Sequence, residues 1–166
     1  SQMCFARFSV IYDDSGLPCD CICAQVNPAF EALFSRNVMD VIGKSMREIF
    51  QSLTDLRDHQ IQTLIEQTLH DGSAELEQYF GQLQRWIGLL AFSTNRDSIT
   101  VVFSDRTEQK QMSLALKDAN ERFFKLFNSG TDAAIIVRKR DGTIVEINTS
   151  FLSLSRFSRE ELVGKR

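Results

Sequence analysis

Two stretches, "VNPAFEALFSRNVMDVIGK" (Val26–Lys44) and "INTSFLSLSRFSREELVGK" (Ile147–Lys165), align without a gap at a constant offset of 121 residues. Asn27 matches Asn148, Phe30 matches Phe151, Leu33 matches Leu154, and Gly43–Lys44 matches Gly164–Lys165. In each copy the Asn follows a strand-like run. Each run follows a turn signal, "DDSG" (Asp13–Gly16) or "RDG" (Arg140–Gly142). A single long repeat of about 120 residues denotes two tandem domains, not a solenoid of short units. The sequence therefore reads as one domain over residues 5–105, a connector over 106–127 and the N-terminal part of a second domain over 128–166.

Working outward from the first copy, residues 6–12 and 19–26 read as a two-strand hairpin. "PAFEALFSR" has Pro28 at a favoured first-turn position and apolar residues at 29, 30, 33 and 34, the pattern of a short helix. "VMDVIG" and "SMREIF" read as two further helical pieces, the first ended by Gly43. A longer helix is expected over "TDLRDHQIQTLIEQTLHDG", capped by Thr54 or Asp55 and closed by Gly72. Three strand-like runs follow: "SAELEQYF", "QRWIGLLAF" and "DSITVVFSD". Strands at both ends with helices between them predict an α+β fold: a five-stranded antiparallel sheet with the helices on one face.

Composition narrows the function. A net charge of −3 argues against a nucleic-acid surface, and the "RKR" of Arg138–Arg140 is followed at once by Asp141, which reads as a solvated turn. The longest apolar runs, "LLAF" and "AAIIV", are far short of the roughly 20 residues of a membrane helix. No membrane contact is therefore expected of this segment, and the parent's anchor, if it has one, lies elsewhere. A cytoplasmic setting is expected. Thirteen Phe against two Tyr and one Trp suit a packed core or an apolar pocket. No nucleophile–base set, Gly-rich phosphate loop or metal-ligand cluster is legible, so no catalytic and no metal residues are assigned. His59 and His70 lie about 16 Å apart along one helix and cannot share a metal.

The Asn-Pro-x-Phe after the second strand, Gly-Lys sixteen residues on, and "VVFSDRTEQKQ" (Val101–Gln111) together resemble a PAS domain. "SDRTEQK" is similar to the Asp-Ile-Thr signature at which many PAS domains pass into a signalling helix, with Arg106 in place of the usual aliphatic. "ANERFFKLFNSGTDAAIIV" resembles the entry into a following PAS copy. The resemblance implies a sensory and signal-relay module of a multidomain receptor, with downstream PAS and output domains. A sensor histidine kinase is the expected parent, and a diguanylate cyclase or phosphodiesterase the alternative. No kinase ATP-binding block or GGDEF-type motif occurs here, so enzymatic output is expected outside this segment. The light-sensing "NCRF"-like motif is absent and the surroundings of His59 are polar, so neither flavin nor haem is predicted.

The family places its small-molecule pocket between the sheet and the short helices. From this sequence's own pattern the candidate lining is Phe34, Ile49, Phe50, Ile65, Trp86 and Leu90, with Arg85 as a polar partner. The competing reading is that these residues fill the core of a ligand-free interaction scaffold. At the junction, Asp105 and Glu108 have capping-box spacing, and Thr107 is a second N-cap candidate. Beyond it Met112, Leu116, Ala119, Phe123 and Leu126 recur with gaps of 4, 3, 4 and 3, a heptad seam that predicts a homodimer through the connector helix. Cys19, Cys21 and Cys23 alternate along one strand and span about 13 Å, too far for one zinc or an easy disulfide. Strict alternation assigns the core face to Ile22, Ala24 and Val26 instead.

Overall fold

The computed structural model describes residues 3–166. Its contacts divide the chain into two compact units, one ending at Lys110 and the other starting at Gln111. The first contains strands β1 (Cys4–Tyr12) and β2 (Pro18–Val26), then helix α1 (Pro28–Phe34), a 3-10 turn at Val38–Asp40, α2 (Met46–Leu53) and α3 (Asp58–Asp71). Strands β3 (Ser73–Phe80), β4 (Arg85–Phe92) and β5 (Ser98–Asp105) follow. All pairings are antiparallel, and the strand order is β2-β1-β5-β4-β3. The first and last segments thus meet in the middle of the sheet, and the fold is the expected α+β one with a five-stranded antiparallel sheet.

Alternation along the strands sends one set of side chains inward. Ala6 and Phe8, Ala74 and Phe80, Ile87, Leu89 and Ala91, and Ile99, Val101 and Phe103 are buried. From the helices, Phe30, Phe34, Met46, Ile49, Phe50, Leu53, Ile61, Leu64 and Ile65 meet them.

Two sequence expectations are corrected. The long helix begins at Asp58, not at Thr54 or Asp55. Thr54 instead ends α2, where its amide donates to Phe50 O, and Leu56 is buried in the intervening linker. The side chain of Gln60 accepts from the Arg57 amide and secures the new start. On β2, Cys21 and Cys23 face the core while Ile22 is half-buried and Ala24 exposed. The cause is a bulge: Phe8 pairs with Cys23 and Arg7 with Gln25, so Ala24 is the extra residue. One extra residue reverses the parity of everything beyond it, so Val26 is buried together with Cys21 and Cys23.

The second unit holds most of α4 (Thr107–Ser129), then β6 (Ile135–Val137), β7 (Ile144–Ile147), α5 (Thr149–Ser155) and α6 (Arg159–Leu162). β6 and β7 form an antiparallel pair. The repeat has a structural explanation in two backbone corners. At the first, Asn27 Oδ1 accepts from the amides of Phe5 (3.1 Å) and Phe30 (3.3 Å), while Nδ2 donates to Met3 O (2.5 Å). Asn148 does the same with the amides of Ala134 and Phe151 (both 2.9 Å) and with Asp132 O (2.8 Å). One side chain caps a helix and anchors the start of the first strand of the preceding hairpin, which needs both an acceptor and a donor; Asn has both.

At the second corner, Gly43 N donates to Cys23 O (2.8 Å) and Cys23 N to Lys44 O (2.9 Å). In the second copy Gly164 N donates to Ile144 O (2.8 Å) and Ile144 N to Lys165 O (2.7 Å). Gly43 and Gly164 have φ of 82° and 88°, the left-handed region that favours glycine. Among the recurring residues, Asn27 and Asn148 and the two Gly-Lys pairs are therefore the ones that pin the backbone.

Candidate functional site

Three places in the structure bear on function: the interior between sheet and helices, the junction at the start of α4, and the outer surface of α4. In the interior, Phe8, Phe30, Phe34, Phe50, Phe80 and Phe103 pack ring against ring, with centroids 4.6–6.4 Å apart. Edge-to-face and tilted geometries prevail, as the ring quadrupoles favour. Of the candidate pocket residues, Phe34, Ile49, Phe50 and Ile65 belong to this cluster and are buried. A cleft of about 130 Å³ opens on the helical side, lined by Val41, Ile49 and Leu53 with Arg36, Asp40 and Lys44 at its rim. Metabolite sites usually enclose roughly 300–1,000 Å³.

Arg85, Trp86 and Leu90 lie elsewhere, which corrects their grouping with the interior. On β4 the buried alternation is Ile87, Leu89 and Ala91, so Trp86 and Leu90 face the other side of the sheet, and Leu90 is 44% exposed. Arg85 pairs with Asp105 at 3.3 Å. Both residues border an open groove of about 870 Å³ formed with Ala29, Leu33 and Val102. Both alternating sets of β4 are apolar, so periodicity alone did not reveal the inward one.

At the junction, Asp105 Oδ1 accepts from the Thr107 amide at 3.0 Å. The Trp86 amide donates to Thr107 Oγ1 (3.0 Å), and the Arg106 amide donates to Trp86 O (2.8 Å). Partial burial works to raise the Asp105 carboxyl. The hydrogen bonds from Thr107, together with the Arg85 guanidinium, outweigh it and hold the group below the usual carboxylate range. Asp105 and Thr107 therefore fix how the chain turns from β5 into α4. Glu108 is exposed in the first turn, a favoured place for a negative charge.

Sequence reasoning noted Arg106 only as a departure from the signature and overlooked Lys110, Glu75 and Glu77 at this junction. Arg106 Nε donates to Ser104 Oγ (3.0 Å), and its guanidinium is 3.9 Å from Glu75. Lys110 Nζ meets Glu77 Oε1 at 2.5 Å and stands 4.6 Å from the centre of the Trp86 ring. The available signal was Gly88, a lone glycine inside a strand, which marks close approach of another group. A Cβ on Gly88 would lie 2.9 Å from Ser104 Oγ and 3.2 Å from Arg106 Nε.

The seam residues Met112, Leu116, Ala119, Phe123 and Leu126 are all exposed on α4, with Met112, Leu116 and Leu126 at 63%, 64% and 73%. At the far end of the helix, Asn148 Nδ2 also donates to Phe127 O (3.0 Å), and Asn128 Oδ1 accepts from Thr149. The end of α4 is thereby tied to the β7–α5 corner.

The cysteines are free: Cys4, Cys21 and Cys23 are buried and Cys19 is exposed. Burial pushes the thiols of Cys4 and Cys21 up to about 12 and that of Cys23 to about 11, which keeps them protonated. His59 and His70 are exposed on α3. Among the described residues no group of three or more His, Cys, Asp or Glu side chains is placed to hold a metal. Among the described residues no helix is long and apolar enough to cross a membrane. A family model described as a PAS domain matches residues 8–108 and again residues 131–166. No curated protein matches the chain.

Proposed function

The chain belongs to the PAS domain family, and on that premise we propose that it relays a partner-induced change through α4 to downstream domains of a multidomain receptor. The observation that carries this reading is the exposed seam of α4. A 23-residue helix begins on the sheet of one copy, ends on the Asn148 corner of the next, and presents Met112, Leu116, Ala119, Phe123 and Leu126 without cover. A helix of this length gains little from its own hydrogen bonds. A second copy of the chain, paired in parallel along the seam, supplies the missing contact. At the positions flanking the seam such a pair brings Glu108 near Ser113 and Arg122 near Phe127, so like charges do not meet.

Partner-induced input is favoured over a metabolite because the six phenylalanines occupy the interior. The output is proposed to be a histidine kinase of a two-component system, with a cyclase or phosphodiesterase as the alternative parent. This segment contributes no catalytic group. Four free thiols suit a reducing, cytoplasmic compartment.

Sedimentation equilibrium of the 166-residue chain tests the dimer. A dimer is expected, and Leu116→Glu with Phe123→Glu is expected to yield a monomer with unchanged circular dichroism. A wild-type chain that stays monomeric to hundreds of micromolar removes the seam as an interface. The second reading, a ligand-free scaffold, shares the packed interior and the dimer. It differs in expecting no change in output when α4 packing is perturbed in the parent receptor.

A further inference from the structure

On the outer face of the sheet Tyr79 and Leu90 are exposed, and at one corner of it lie the chain's own cations Arg106 and Lys110. Residues facing outward form rows across the strands. Phe5, Val102, Leu90 and Glu75 make one row; Ser104, Gly88 and Glu77 the next; Trp86 and Tyr79 the last. Arg106 crosses the middle row over Gly88, where the missing Cβ makes room for it. One turn further on, Lys110 reaches the same rows through Glu77 and the Trp86 ring.

The attachments differ in kind. Up to Thr107 the chain is fixed to the Trp86 backbone by two neutral hydrogen bonds, one from the Arg106 amide and one to the Thr107 hydroxyl. Beside them stand the charged contacts of Asp105 with Arg85 and of Arg106 with Glu75. Beyond Thr107 the observed attachment is Lys110, whose ammonium is bound by charge and by the ring face. Lys110 and Glu77 are 33% and 38% exposed, so both remain in contact with water and salt. Exposed ion pairs weaken with ionic strength, because the Debye length falls from about 10 Å at 0.1 M to about 3 Å at 1 M. The cation–π contact is electrostatic as well.

We propose that Lys110, Glu77 and Trp86 form an ionic-strength-dependent latch that sets where α4 leaves the sheet. With the latch closed, the helix is held to the sheet as far as Lys110, two residues before Met112 opens the seam. With it open, the fixed point retreats to Thr107 and the first turn of α4 moves freely. The latch itself stands on these contacts alone. Its consequence for signalling rests on the relay reading, because it alters the constraint at the start of the seam.

Trp86 is the chain's only tryptophan, so its emission reports on the latch directly. The 166-residue protein is titrated with NaCl from 20 mM to 1 M while Trp86 emission and amide exchange at residues 109–112 are followed. Exchange is expected to accelerate about two- to fivefold, the range available to an exposed ion pair. Emission is expected to move to the value shown by Lys110→Met at every salt concentration. Glu77→Gln, which keeps the shape of the side chain, is expected to lose most of the response. Flat wild-type curves overturn the latch. So does a Lys110→Met variant that behaves like wild type, or a response that sucrose of equal osmolality reproduces. The same titration in the Leu116→Glu/Phe123→Glu background separates the two ideas. A response retained there supports the latch whatever becomes of the dimer, and a response lost there assigns it to association and overturns the latch.

Discussion

The two Asn corners make the same hydrogen bonds on very different foundations. Asn27 closes onto a five-stranded sheet and a core of six phenylalanines. Asn148 closes onto a short hairpin and the last turn of α4. Asn148 is 1% exposed, yet of the large hydrophobics around it only Ile147 is fully buried; Ile135, Val145, Leu154 and Phe157 are all exposed. The same few residues make the corner bonds in both copies, while the described surroundings of Asn27 bury more apolar surface.

The comparison is broken most severely by Phe34→Ala. Phe34 touches Phe30, Phe80 and Phe103, so its truncation is expected to cost the first unit about 3–5 kcal/mol. Urea denaturation measures the loss, and amide exchange in β6 and β7 should stay as in wild type. Next comes the pair Asn27→Ala and Asn148→Ala. The first is expected to cost about 2–3 kcal/mol of first-unit stability, since two amides and a carbonyl lose their partner. The second should leave that unit untouched and accelerate exchange only at Ala134 and Phe151. An equal loss of first-unit stability in both variants would contradict locally closed corners.

Gly43→Ala comes third, at about 1–2 kcal/mol, because a Cβ is strained at φ 82° even where space is open. Gly164→Ala should show the same strain only as faster exchange at Ile144. The smallest effect is at Asp105. Its lowered folded value means that its stabilising contribution is present above the unfolded carboxylate pKa, near 4, and is lost as pH falls further through the folded value. At 39% exposure, screening limits this contribution to about 0.5 kcal/mol. The difference in acid stability between wild type and Asp105→Asn should therefore shrink towards zero once pH has fallen through that folded value. A difference that persists there would assign the Asp105 effect to packing.

The succession of strands and helices along the chain was legible because each strand carries its own alternating or apolar run between turn signals, whereas the order of strands within the sheet was not read from sequence. The start of α3 was not, because Thr54 and Asp55 are as good a cap as any by residue type, and only the burial of Leu56 keeps the linker out of the helix. The facing of β2 was hidden by the Ala24 bulge, which inserts a residue without changing composition. In β4, two apolar faces compete, and only Gly88 distinguishes the one that Arg106 crosses. At the site, Phe34, Ile49, Phe50 and Ile65 were recognisable as interior residues. Lys110 was not recognisable as a junction residue, since its partners Glu77 and Trp86 lie 33 and 24 positions back in the sequence.

The Gly-Lys corner has one more consequence. β2 is an outermost strand, and an outermost strand ordinarily offers unpaired amides and carbonyls to any passing chain. At Cys23 those groups are already taken by Gly43 and Lys44, and Ile22 bridges Ser45 just beside them. Ile144 is shielded in the same way by Gly164 and Lys165. The corner that shapes each copy also occupies the edge groups beside it, so β2 at Cys23 and β7 at Ile144 cannot add a strand from another chain there.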